Sequence, residues 1–89
     1  MTVDMTPIQV RRLVADVFEE YLDQPLTISD LDETIRCREG RAMARSYRAC
    51  GMFAMWLISV GLLQFYDEDG NMLRTVNLLE DMLPVRAAA

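Results

Sequence analysis

The chain contains no histidine and no lysine. The commonest general base, the Schiff-base amine and the imidazole metal ligand are therefore all missing. The carboxylates that remain read as exposed helix faces and one turn, so the expectation is a protein that is not an enzyme. Thiols are nearly as scarce, with Cys37 and Cys50 alone. Two thiols without histidine cannot fill a four-ligand zinc site. With Cys37 in the turn and Cys50 about nine residues into the helix that follows, ~1.5 Å per residue sets them some 14 Å apart, too far to bridge. On that reading Cys50 is a small core residue and Cys37 a bystander. Asp67, Asp69 and Asn71 have the spacing that opens a calcium loop, but Met72 and Leu78 stand where the loop needs Gly and Glu. No metal and no cofactor is expected. Long apolar runs are absent too. The longest uncharged stretch, residues 49–66, falls short of the ~20 residues that span a bilayer and is interrupted by Gly51, Ser59 and Gly61. Met1 to Leu22 shows no basic segment followed by an apolar one. The expectation is a cytoplasmic protein without membrane contact.

What the chain does have is arginine. All nine positive charges are Arg, set against fourteen carboxylates for a net charge of −5. Arg36, Arg38, Arg41, Arg45 and Arg48 share the stretch 36–48 with one acid, Glu39. That makes a local +4 and leaves −9 on the rest, a pattern more informative than the mean.

At 89 residues, 52% of them apolar, residues 1–89 read as one domain. Thr6-Pro7-Ile8-Gln9 is a helix start with a capping box and proline at the first helical position. Val10, Leu13, Val14, Val17, Phe18, Tyr21 and Leu22 then recur at helical spacing, which predicts a helix over about 7–22. Leu26-Thr27-Ile28 reads as a very short strand, and Ser29 caps a second helix over about 30–37 that stops at Gly40. A third helix is expected over about 41–60, with Arg41, Arg45 and Arg48 on one face. Its second half is apolar all round, and in so small a domain that suggests a partner subunit meeting Met52, Phe53, Met55 and Trp56, most simply in a homodimer. Two β-prone runs around Asp69-Gly70 make a hairpin over about 62–78. A short amphipathic segment from Leu78 stops at Pro84, and residues 84–89 form a tail.

This order of elements resembles the winged helix-turn-helix superfamily, with Leu26 to Leu78 carrying the match. Leu26-Thr27-Ile28-Ser29-Asp30-Leu31 resembles the opening of the second helix. Trp56-Leu57-Ile58-Ser59-Val60-Gly61-Leu62-Leu63 resembles a recognition helix running into the wing. The resemblance implies a mainly α fold with a small β-hairpin. It also implies a DNA-binding regulator whose third helix meets duplex DNA through Arg41, Arg45 and Arg48, with Arg38 just ahead of that helix as a further DNA contact. The alternative is a non-enzymatic protein-interaction adaptor on the same fold, using its acidic and apolar surfaces. The acidic wing tip, Asp67-Glu68-Asp69, favours the adaptor because phosphate would repel it.

Overall fold

The computed structural model describes residues 5–81. Helix α1 spans Pro7–Leu22, as its sequence predicts. The Thr6 hydroxyl accepts from the Gln9 N–H at 3.2 Å, and the Gln9 side-chain oxygen accepts from the Thr6 N–H at 2.9 Å. Two orphan donors of the first turn are thereby satisfied. Asp23, in left-handed conformation, ends the helix and donates its N–H to the Glu19 carbonyl.

Beyond α1 the architecture departs from expectation. Five strands follow, β1 (Asp32–Arg38), β2 (Arg41–Ala49), β3 (Met52–Leu57), β4 (Leu62–Tyr66) and β5 (Met72–Asn77). They form one antiparallel sheet in the order of the chain. The fold is thus a helix on a five-stranded meander, not a mainly α winged helix. The expected helix at 30–37 is a single 3₁₀ turn, Ile28–Asp30, followed by β1. The expected recognition helix at 41–60 is β2, β3 and a 3₁₀ turn, Ile58–Val60. The hairpin at 62–78 is present as β4 and β5, with Leu62 opposite Asn77. A short helix α2, Leu78–Asp81, follows it. The expected stop at Pro84 and the tail 84–89 lie outside the described residues.

The reason for the departure sits at two turns. Glu39-Gly40 and Cys50-Gly51 each join neighbouring strands through two residues, all four with positive φ between 50° and 84°. That is the geometry of the primed hairpin turns, whose twist matches that of the strands they join. Glycine takes it without steric cost, and each turn reverses the chain where a helix would run on.

Strand alternation then sorts the side chains. Met52, Ala54 and Trp56 of β3 point to the helix and are buried, while Phe53, Met55 and Leu57 point away and are half-buried. The core is Val10, Val14, Val17 and Phe18 of α1 packed on Tyr47, Ala49, Met52, Ala54, Trp56, Leu63 and Phe65. Phe18 meets Phe65 edge-on, with ring centroids 6.0 Å apart and planes at 79°. Met52 and Trp56, expected at a partner interface, are core residues of this chain.

Candidate binding face and its arginines

Opposite α1, the outer side of the sheet carries Phe53, Met55 and Leu57 of β3 paired across to Tyr66, Gln64 and Leu62 of β4. On the other side of β3 they pair to Arg48, Ser46 and Ala44 of β2. The middle of this face is therefore apolar and aromatic. Where β3 and β4 approach the Cys50-Gly51 and Asp67–Asn71 turns it dips into a groove of about 320 Å³. Phe53, Met55 and Tyr66 line the groove, with Arg48 and Glu68 among its walls. The Phe53 and Tyr66 rings lie 5.8 Å apart at a tilt of 49°. The Arg48 guanidinium sits 4.9 Å above the Phe53 ring, a cation–π contact that holds it along the groove wall. The Tyr66 hydroxyl donates to the Gln64 side-chain oxygen at 3.1 Å.

The turn beside the groove is built by Asp67. Its Oδ1 accepts from the Asp69 and Asn71 N–H groups, both at 2.9 Å, and its Oδ2 accepts from the Asn71 side-chain amide at 3.3 Å. The Asn71 N–H bond, with its companions, holds the Asp67 carboxyl below its ordinary pKa. Asp67 is spent on the turn, whereas Glu68 stands exposed on the groove wall. Among the described residues no three His, Cys, Asp or Glu side chains gather as a metal site.

The arginines expected to share one helical face are dispersed. Arg38 and Arg41 face each other across the end of the β1–β2 hairpin, exposed, with Arg36 on the same side of β1. Arg48 lies on the outer face at the far end of β2. Arg45 points the other way, under α1, where its guanidinium meets the Glu33 carboxylate at 3.3 Å. Arg11 of α1 reaches the other oxygen of Glu33, also at 3.3 Å. Helix and sheet are thus clamped by one carboxylate between two guanidiniums. A β-bulge causes part of this dispersal, since Arg36 pairs with Ala44 and Cys37 with Ala42, leaving Met43 as the extra residue of β2.

Cys50, expected in the core, is exposed at the β2–β3 turn, and the Gln24 side-chain amide donates to its sulfur at 3.1 Å. Cys37 is exposed on β1, and neither thiol forms a disulfide. Of the four residues assigned to an interface, Phe53 and Met55 do lie on the open face. Sequence reading missed Leu62 and Tyr66 beside them. Only the strand geometry separates the two sets, because residues 52–57 are apolar throughout and show no alternation in the sequence.

Tyr47 is fully buried, and its hydroxyl makes no hydrogen bond. Burial first, and the facing Glu33 carboxylate second, push its pKa well above the ordinary value near 10. The folded protein therefore holds this phenol neutral. The associated stability is complete below pH ~10, where the unfolded chain's tyrosine is also neutral, and is lost as pH rises beyond that. Tyr47→Phe removes an unsatisfied buried hydroxyl, so it is expected to be neutral or to stabilise by up to ~1 kcal/mol at pH 7. It should also move the alkaline unfolding midpoint upward. Urea melts at pH 7 and pH 11 test both, and a loss of more than ~1 kcal/mol at pH 7 would show that the hydroxyl is bonded after all.

The described helices include none long and apolar enough to cross a membrane. No protein-family model, curated protein or solved structure matches the chain.

Proposed function

We propose that this chain is a non-catalytic protein-interaction adaptor that works through the outer face of its sheet. The observation that carries the reading is the groove floored by Phe53, Met55 and Tyr66, on the side of the sheet opposite α1. Aromatic, Met and Arg side chains gathered at one surface are the composition of protein interfaces. A partner that fits supplies an apolar or aromatic anchor for the groove floor and a cationic side chain for Glu68. Duplex DNA is the weaker reading, because it called for a recognition helix bearing Arg41, Arg45 and Arg48. Residues 41–57 are instead strands, Arg45 is engaged by Glu33 and Arg48 by Phe53.

The test is selection of peptides from a display library on the folded chain. Binders with an aromatic or aliphatic anchor beside Lys or Arg are expected. Met55→Asp is expected to weaken them at least tenfold, about 1.4 kcal/mol, with circular dichroism unchanged. Binders indifferent to Met55→Asp would sink the reading. A gel shift with duplex DNA at ~50 mM salt that disappears in Arg38→Ala/Arg41→Ala but survives Met55→Asp would return the DNA reading to first place.

A further inference from the structure

The sheet has an open edge at β1 that is guarded by charge alone. Among the described residues β1 ends the strand order and pairs with β2 alone, and six of its seven residues are exposed. Edge strands are ordinarily shortened, bulged, broken by proline or charged to prevent pairing with other chains, and a charge guard fails against a partner that presents the complementary charges. β1 has seven residues and no proline, and the bulge beside it belongs to β2, so β1 itself stays regular. Its charges are segregated, Asp32 and Glu33 at one end and Arg36 and Arg38 at the other.

We infer that the β1 edge is the interface with a second copy of this chain, the two β1 strands pairing antiparallel about Ile35. The two-fold axis then runs perpendicular to the sheet. It sets Asp32 opposite the second copy's Arg38 and Ile35 opposite Ile35. The Asp32–Arg38 contact occurs twice, and the Ile35 pair sits once on the axis, as an isologous interface requires. Opposite charges directly across an antiparallel pair stabilise it, and like charges destabilise it. Ile35, 45% exposed in the single chain, is covered by its own copy.

Hydrogen-bond alternation agrees with this register. Arg38 and Arg41 flank a two-residue turn, so their main-chain groups face one another. Alternation then directs the N–H and C=O groups of Glu33, Ile35 and Cys37 to the open edge. Pairing about Ile35 matches Glu33 with Cys37 and Ile35 with itself, so each of these open groups gains a partner. A slip of one step toward the carboxyl end sets Arg36 against Arg36. A slip the other way, to Thr34 on Thr34, leaves Cys37 and Arg38 beyond the end of the partner's strand.

The interface is small and rests on main-chain bonds, the mode of strand addition. It therefore belongs with weak, reversible dimers. It joins two sheets into one of ten strands, with both helices on one side and both outer faces on the other.

The test uses the full chain with Cys37→Ser and Cys50→Ser, so that introduced thiols act alone. Under mild oxidation at ~100 µM, Ile35→Cys is expected to form a disulfide-linked dimer. Directly opposed residues of a hydrogen-bonded antiparallel pair have Cα atoms about 5.5 Å apart, within disulfide reach. Met72→Cys, on the other edge strand and of similar exposure in the parent chain, should cross-link at least tenfold more slowly. Equal rates, or a faster Met72→Cys, would overturn the inference, and a faster Thr34→Cys would overturn the register. In sedimentation, Asp32→Arg and Arg38→Asp should each lower the dimer fraction and the double exchange restore it. Singles that leave the fraction unchanged, or a double that fails to restore it, count against the pairing.

Discussion

Phe65→Ala is expected to cost about 3–5 kcal/mol, the range for deleting a buried phenyl group from a core that relaxes only in part. Phe65 is fully buried at the centre of the sheet, opposite Ala54 of β3 and edge-on to Phe18 of α1. Ala54 is too small to close the space from the sheet side, and Phe18 is fixed by the helix, so the cavity persists. A small domain holds only roughly 5–15 kcal/mol in all, which makes this loss a large fraction of the total. Urea midpoints should fall with the slope unchanged. Phe18→Ala should be comparable, and the double variant should lose less than the sum by about 0.5–1.5 kcal/mol, the worth of an edge-to-face pair. A change under ~1 kcal/mol would mean that α1 does not pack on β4.

The contrast between α1 and the sheet shows what the sequence makes legible. The helix is specified locally. Thr6, Pro7 and Gln9 mark its start, and an apolar stripe runs through residues 10–18, so its bounds follow without tertiary information. The cap expected at Ser29 is instead at Thr27, and it serves a shorter element. The Asp30 carboxylate accepts from the Thr27 N–H at 2.8 Å and holds one 3₁₀ turn, after which the chain extends. Residues 41–57 mislead because Ala, Met and Leu are good helix formers, and packing decides against propensity. Both faces of β3 are apolar, one for the core and one for the groove, so period-two alternation is hidden within a uniformly apolar run. The X-Gly pairs at 39–40 and 50–51 were the visible clue, eleven residues apart with a strand's length between them. Read as a helix stop and a helix interior, they lost their meaning as turns. The arginine spacing of i, i+4 and i+7 was then an accident of helical projection. On strands the same residues serve a hairpin end, an ion cluster under the helix and a groove wall. The Asp-Gly hairpin was legible because its turn chemistry is local, as at α1.

Glu33 went unnoticed in the sequence, because nothing around it marks an acid on an extended strand as shared by two arginines 22 and 12 residues away on opposite sides. Its removal is the second large expected effect. In Glu33→Ala, Arg11 and Arg45 lose their common partner and are left as neighbouring like charges, with the Arg45 side chain 19% exposed. Removing one member of a fully buried ion pair costs about 3–5 kcal/mol, and an exposed pair is worth at most about 1. These side chains, between 17% and 34% exposed, lie in between, so a loss of about 1.5–3 kcal/mol is expected. Much of that loss is the penalty on the stranded arginines, not the worth of the ion pairs. Glu33→Leu combined with Arg45→Met should therefore recover more than half of it, since the residual Arg11 is the more exposed arginine and can turn to solvent. Urea melts of Glu33→Ala, Glu33→Leu, Arg45→Met and the double variant decide the matter. If Glu33→Ala costs less than ~0.5 kcal/mol, the clamp between helix and sheet is apolar only. If the double variant loses as much as Glu33→Leu and Arg45→Met measured singly and summed, the two residues do not act on one another.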